Sequence, residues 1–229
     1  MIKTMKKSLR IFALLAVILI IFTSCTVKKL SEMEAGKDDG EYSTWTKSGS
    51  QFEPVSYVEG IWDSRLVPAF KEECVDIEIV LDALKKDREK ADADYGLTKT
   101  QGAASFSFKV KGEAVVLEYD DSSRNGLLIL DLPPADGERD TVLQVGPVIK
   151  KTAIRDSVDF IKFSEVGNQL QFASLADELN NKMKKVVIEP LDLENIAGKT
   201  ISFYAAFKLE KTENVDNVVL TAVLLEVKE

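Results

Sequence analysis

Apolar and polar residues alternate with a period of two over much of the second half of the chain. Phe106, Phe108 and Val110 alternate with Ser107 and Lys109, which is typical of a β-strand with one buried face. The same alternation, together with runs rich in valine, leucine and isoleucine, predicts six strands. They cover residues 106–110, 114–119, 127–132, 141–149, 199–210 and 217–228.

Two glycine-containing dipeptides interrupt these strands. Asn125-Gly126 ends a polar run between the second and third strands, and this dipeptide is a strong turn signal. Gly146-Pro147 falls inside the fourth strand. Because proline has no backbone N–H to donate to a strand ladder, we expect a kink or a bulge there.

The sequence from Tyr57 to about Tyr95 has helical periodicity instead. Its apolar residues recur three and four positions apart, which places them on one helix face, and Pro68 breaks this region or starts its second helix. A further helix is predicted over 173–186. Cys74 lies on the apolar face, so we interpret it as a buried core residue rather than a reactive nucleophile. The face consists of Phe70, Cys74, Ile77, Leu81 and Leu84.

These patterns predict an α+β fold that is mainly β. A helical N-terminal segment (56–98) precedes about six antiparallel strands (104–229), which are interrupted by one helical insertion. This order favours a small antiparallel β-barrel or a sandwich. No repeat with a period of about 20–50 residues is visible, so the chain is not a repeat array.

The N-terminus has the pattern of an export signal. Four basic residues precede the apolar run 11–22, which is shorter than the about 20 residues that span a membrane. Phe22-Thr23-Ser24-Cys25 then resembles the lipobox of bacterial lipoproteins, in which the cysteine is lipidated and becomes the first mature residue. A plain signal peptide with an incidental cysteine, or an uncleaved anchor, remains the alternative.

This signal divides the chain into a signal peptide (1–24), a flexible tether (25–55) and one lipoprotein domain (56–229). The tether is polar and has no apolar period, so as a random coil it would span about 30 Å. Removal of residues 1–24 leaves 26 basic and 38 acidic side chains. The mature chain is therefore strongly acidic, which disfavours binding to nucleic acid.

The composition excludes several kinds of catalytic and metal site. The chain has no histidine and two cysteines, which excludes Ser-His-Asp triads and zinc sites built on histidine or on four cysteines. No phosphate-binding glycine loop is present, and the Asp92–Asp94 pair lacks the glutamate that a calcium loop needs. We therefore expect no cofactor and no enzymatic activity; a hydrolase that uses paired carboxylates is the less favoured alternative.

Residues 143–180 carry the most unusual polar content. Planar amides and an adjacent Arg–Asp pair there can bind a sugar or an anion through directional hydrogen bonds. The alternative, which we favour, is that these side chains bond backbone groups and hold a long connection against the strands. The candidates for ligand or partner contacts are Gln144, Arg155, Asp156, Asn168 and Gln169, with Asp159 and Asn180 nearby and Arg124 in the turn before the third strand.

Several stretches in order resemble the domain-of-unknown-function 2291 family of predicted periplasmic lipoproteins. They include YVEGIWDSRLVPAF, DSSRNGLLILDL, LQVGPVIKKTAIRDSVDFIKF and PLDLENIAGKTISFYAAF. The resemblance runs from about Tyr57 to the C-terminus. It implies an OB-like small β-barrel and an association with ABC transporters for sugars, and it implies no catalytic or binding residues.

Three functional hypotheses follow. The first is a non-enzymatic accessory, held to a membrane by its lipid, that docks on a sugar ABC permease or on its binding protein. The second is a lipoprotein that holds a small sugar-like ligand between the strands and the 150–180 region. The third is the histidine-free hydrolase. In each case the chain is exported and faces the periplasm or the cell exterior.

The lipobox resemblance makes a direct prediction about Cys25. Replacement Cys25→Ser removes the thiol that would carry the lipid, so we expect the variant to incorporate no label when cells are grown with radioactive palmitate. A Cys25→Ser protein that still incorporates palmitate would contradict the tether interpretation.

Overall fold

The computed structural model describes residues 52–99 and 104–228, all within the unit Ser50–Glu229. The predicted signal peptide (1–24), Cys25 and the predicted tether up to residue 51 lie outside the described residues. Within the described ranges, no helix is long and apolar enough to cross a membrane.

The N-terminal part of the described chain is helical, with two very short strands. A single π-helical turn, Trp62–Leu66, joins the first two helices. The elements are α1 (Pro54–Ile61), α2 (Val67–Glu73), β1 (Val75–Asp76), α3 (Ile77–Lys86), α4 (Arg88–Tyr95) and β2 (Gly96–Leu97).

The predicted apolar face is buried, but it does not belong to one helix. Cys74 has extended backbone angles, and Asp76 caps α3 by accepting a hydrogen bond of 3.0 Å from the Glu78 N–H. The chain breaks here because β1 pairs in parallel with β3. Pro68 lies in the first turn of α2, so it starts the second helix. Cys74 is 7% exposed, as a core residue would be.

Five longer strands form most of the seven-stranded sheet. The first two predicted strands are wrong as separate elements, because they form one strand of 16 residues. The fourth predicted strand ends at Gln144, before Gly146-Pro147. The strands are β3 (Ser105–Asp120), β4 (Leu127–Asp131), β5 (Thr141–Gln144), β6 (Thr200–Glu210) and β7 (Val219–Val227).

These five strands pair in a closed circuit. The residues of β3 from Ser105 to Val115 pair with β6, and those from Val115 to Asp120 pair with β4. The circuit continues through β4–β5, β5–β7 and β7–β6. The predicted antiparallel arrangement is wrong for β5–β7, which is parallel. Parallel pairing is possible because a long connection, including β6, separates the two strands in sequence.

A helical insertion separates β5 from β6. It contains α5 (Ala153–Asp156), α6 (Phe163–Val166) and α7 (Gln169–Met183), followed by a π-helical turn. The observed helix α7 therefore begins before residue 173 and ends before residue 186, the bounds predicted for it. Its start is set by Asn168, whose side-chain oxygen accepts a hydrogen bond of 2.9 Å from the Gln171 N–H, as is usual for an N-cap.

Aromatic rings occupy the core that the strands and helices enclose. The rings of Phe108 and Phe207 stack with their centroids 4.8 Å apart, and Phe203 is also fully buried. At Gly112 a Cβ atom would lie 2.9 Å from Ile77 and 3.1 Å from Phe203. Gly112 thus lets the first residue of α3 contact the sheet closely.

The turn at Asn125-Gly126 packs against the residues after β5. The Gly146 N–H donates to the Asn125 carbonyl at 2.8 Å, and the Val145 N–H donates to Gly126 at 2.8 Å. A Cβ atom at Gly146 would collide with the backbone of Asn125 and would lie 2.6 Å from the Arg124 carbonyl oxygen. The predicted kink therefore coincides with a close approach of two backbones.

The space around Gly146 and Gly60 predicts opposite effects of an alanine at the two positions. We expect Gly146→Ala to lower the free energy of unfolding by about 2–3 kcal/mol, since the backbone of the opposing turn must move. Gly60→Ala, in α1, has nothing within 4 Å of the added Cβ and should stabilise the protein by about 0.5–1 kcal/mol. Urea unfolding of both variants measures the difference; equal midpoints would contradict it.

Candidate functional site

A polar cleft lies between the sheet and the helical insertion. Its volume is about 190 Å³, and it combines residues that follow β2 with residues of β3, β6, α5 and α7. The cleft lies where the sequence predicted a ligand site, between the strands and the 150–180 region. Its lining residues are Leu97, Thr98, Lys99, Ser105, Ser107, Arg155, Asp156, Phe172 and Lys208.

Asp156 is the buried charge at the centre of the cleft. It is 6% exposed and accepts hydrogen bonds from the Thr152 hydroxyl at 2.6 Å and the Lys208 ammonium at 2.8 Å. Burial alone would raise the pKa of Asp156, but the hydrogen bonds from Lys208 and Thr152 and the charge of Arg155 outweigh it, so the pKa is lowered. Asp156 is therefore an ionised carboxylate and a poor proton donor.

Arg155 connects Asp156 to α7. Its Nε donates to Asp156 at 2.8 Å, and one terminal nitrogen donates to the Phe172 carbonyl at 2.9 Å. The guanidinium also lies 3.8 Å from the centre of the Phe172 ring, a cation–π contact. Arg155 and Asp156 thus link α5 to α7 within the insertion and, through Lys208, to β6.

Two lysines of the cleft were not predicted from the sequence. The Lys99 ammonium donates to the carbonyls of Val158 and Ile161, the latter at 2.8 Å, and burial lowers its pKa. Lys208 reaches the cleft from β6. Neither had a distinguishing signal, because both resemble ordinary surface lysines until the fold places them beside α5.

The other predicted contact residues do not line this cleft. Gln144 is buried and bonds both the N–H and the carbonyl of Lys150, at 2.8 and 3.0 Å, and the Thr221 hydroxyl at 2.6 Å. Asn168 caps α7, whereas the Arg124 and Gln169 side chains are exposed.

The two nearby polar residues are also outside the cleft. The Asn180 side chain donates to the Lys151 carbonyl at 3.4 Å, and Asp159 is exposed. The backbone bonds of Gln144 and Asn180 correspond to the structural alternative, in which polar side chains hold the long connection in place.

A larger groove of about 710 Å³ lies over Gly112, between α3 and strands β6 and β7. Tyr204 and Leu224 form part of its wall, but its charged lining residues, such as Lys111 and Glu113, are exposed. Their charges are screened by water. We therefore expect this groove to discriminate between charged and neutral ligands less strongly than the cleft does. Among the described residues, no group of three acidic or cysteine side chains could hold a metal ion.

Two large apolar residues of the insertion are exposed, and one of them contacts a residue that lines the cleft. Phe163 is 47% exposed and Leu170 is 78% exposed, and both belong to the insertion. The Phe163 ring meets Phe172 edge to face, with centroids 5.4 Å apart. Phe172 thus contacts both Phe163 and Arg155. We call Phe163 and Leu170 the apolar pair below.

Comparisons with known proteins place the chain in a family and identify its fold. The family model described as "Predicted periplasmic lipoprotein (DUF2291)" matches residues 15–226. The structure is similar to that of an OB-fold protein from Thermotoga maritima, with a TM-score of 0.66 and 19% identity. The match covers 78% of this chain and 100% of that one. No curated protein matches the chain.

The ionised state of Asp156 predicts a pH-dependent contribution to stability. Asp156→Asn leaves Arg155 and Lys208 without their charge partner, and we expect the free energy of unfolding to fall by about 3 kcal/mol at pH 7. Because the folded-state pKa is lowered, this contribution is complete above the unfolded pKa of about 3.9 and is lost as pH falls through the folded pKa.

Urea unfolding of wild type and variant from pH 7 to pH 2.5 measures this difference. Asp159→Asn, a neighbouring exposed carboxylate, is the matched control and should change stability little at any pH. A difference between wild type and Asp156→Asn that does not shrink in acid would show that Asp156 acts without its charge.

Proposed function

Because the chain belongs to the DUF2291 family of predicted periplasmic lipoproteins, we propose that it is a non-enzymatic accessory of a sugar ABC transport system, lipid-anchored through Cys25. In this role the domain docks on the permease or on its binding protein. The family supplies the location in the cell envelope, and the closed circuit of strand pairs supports a small OB-like barrel as the docking body.

The apolar pair is the observation that carries this proposal. Among the described residues, five large apolar side chains are markedly exposed, and two of them, Phe163 and Leu170, lie within one short stretch of the insertion. Scattered exposed apolar residues are normal, whereas several that lie close together in sequence on one insertion favour a protein contact. An apolar surface on a partner would bury both side chains together.

The insertion lies beside the first described helix. α1 packs against α7, and Lys182 of α7 pairs with Glu59 of α1 at 2.6 Å. Because a lipid on Cys25 would hold the domain at a membrane, we take the membrane-embedded permease as the partner.

The cleft favours a second function, the binding of a small polar ligand. Its buried carboxylate and surrounding cations form a pre-ordered polar site of the kind that fixes ligand orientation. The same geometry gives no support to the carboxylate hydrolase, because a general acid needs a raised pKa and that of Asp156 is lowered.

Photo-crosslinking in intact cells tests the docking proposal. A photoreactive amino acid replaces Phe163 in the full lipidated chain, and the adducts are identified by mass spectrometry. We expect adducts to a sugar ABC permease. Leu170→Ser in the same chain should reduce the yield of these adducts several-fold by removing apolar contact area.

Position 79 provides the control, since Ile79 is 54% exposed but lies on α3, away from the insertion. Adducts to the permease from position 163 and not from position 79 support docking through the apolar pair. Adducts to the binding protein alone would reassign the partner. Recovery of no transport protein from position 163, or equal recovery from both positions, would overturn the proposal.

A further inference from the structure

The cleft contains more positive charge than its own carboxylate neutralises. Three cationic side chains, Lys99, Arg155 and Lys208, line it together with the single carboxylate of Asp156. The lining therefore has an excess of two positive charges in a chain whose formal net charge is −8. Asp159 also acts on Lys99, but it is exposed and outside the lining, so water screens its charge. A ligand that completes the electrostatics of this cleft is therefore an anion with about two negative charges.

The hydrogen-bonding groups of the cleft fit an oxyanion. A guanidinium has five N–H donors, and the contacts of Arg155 with Asp156 and Phe172 use its Nε and both terminal nitrogens once each. Two further N–H groups thus stay available in a fixed plane. Ser105 and Ser107 add hydroxyl groups to the same lining. Cations and hydroxyls together are the usual partners of phosphate oxygens.

The size of the cleft limits the ligand further. A volume of about 190 Å³ is smaller than the about 300–1,000 Å³ of typical sites for larger organic ligands. It suits a phosphate group and a few attached atoms, and an oligosaccharide would extend out of the cleft.

The rigidity of the cleft favours binding, because its cations are already held in place. Arg155 is fixed by Asp156 and Phe172, Lys208 by Asp156, and Lys99 by two backbone carbonyls. Burial lowers the pKa of Lys99, and a nearby negative charge would stabilise its protonated ammonium form. Little side-chain entropy remains to be lost when a ligand enters.

We propose that this cleft binds a dianionic phosphate group through Arg155, Lys208 and Lys99. The inference rests on the second function proposed above, ligand binding, and is independent of docking through the apolar pair. A phosphate group carries about −1.5 to −2 charges near pH 7, which matches the excess charge of the cleft. The group is free phosphate, a phosphate carried by a small sugar, or the headgroup of a lipid.

Thermal unfolding of the full chain in a polyoxyethylene detergent, at constant ionic strength and pH 7.5, tests the inference. Inorganic phosphate should raise Tm in a saturable way by about 3–5 °C at concentrations well above Kd. Chloride and glucose serve as anionic and neutral controls and should produce no such shift. Glucose 6-phosphate and micelles that contain phosphatidic acid then distinguish a small-molecule source from a lipid source.

Substitutions at Lys208, compared with one at Lys151, locate the binding. Lys208→Gln should weaken phosphate binding about tenfold, whereas Lys208→Arg keeps the charge and should retain it. Lys151→Gln is the matched control and should bind as wild type, because Lys151 does not line the cleft. Its ammonium pairs with Glu213 at 3.0 Å and donates to the Lys208 carbonyl at 3.2 Å, so the variant also tests whether a neighbouring lysine contributes. If Lys208→Gln does not fold, Lys99→Gln at the rim of the cleft replaces it, with ³¹P line broadening as the readout.

The outcomes separate the proposals. A phosphate shift that Lys208→Gln weakens and Lys151→Gln does not supports the inference, and a shift with phosphatidic acid alone supports it with the lipid as source. A shift with glucose but not with phosphate supports ligand binding and overturns the phosphate assignment. No shift with any of these probes, or equal weakening by Lys208→Gln and Lys151→Gln, overturns the phosphate site.

Discussion

Strand β3 is shared between two neighbours, and the rest of the fold depends on this arrangement. Its residues Ser105–Val115 pair with β6 and its residues Val115–Asp120 pair with β4. Because one strand serves both partners, the sheet returns to itself through β5 and β7. The enclosed face becomes part of the apolar core, to which helical residues such as Ile77 also belong.

The helical insertion is held on this outer surface by charge and by backbone bonds. Lys208 of β6 and Arg155 of α5 both contact Asp156, while Gln144 secures the chain as it leaves β5. A buried ion pair of this kind contributes modestly to net stability, but loss of one partner leaves an uncompensated charge. The insertion is therefore fixed by these polar contacts together with its buried apolar residues, such as Ile154 and Leu175.

The same contacts bring two surfaces of different chemistry together. Phe172 lies against Arg155 on the cleft side and against Phe163 on the apolar side. Ligand recognition and docking thus would use neighbouring residues of one insertion. The three side chains are in series, because Phe163 contacts Phe172 and Phe172 contacts Arg155. A bound partner that displaced the Phe163 ring would therefore act on Arg155 through Phe172.

Local sequence patterns by themselves determined the type of most elements. The period-two alternation located the strands and the three-and-four spacing located the buried helical residues, since each pattern reflects which side of an element faces the core. Export and lipidation are predictions of the same local kind, because signal and lipobox are linear patterns, and they concern residues outside the described ranges. Arg155 and Asp156 could be singled out as an adjacent charged pair in a polar stretch.

What only the tertiary structure decided is how distant residues meet. The unbroken length of β3 and the parallel β5–β7 pair depend on partners far away in sequence, which alternation cannot identify. Lys99 and Lys208 are far apart in sequence but line one cleft with Asp156, and each is an unremarkable lysine in its own segment. A cleft's charge is the sum over side chains that folding assembles, so no local pattern contains it.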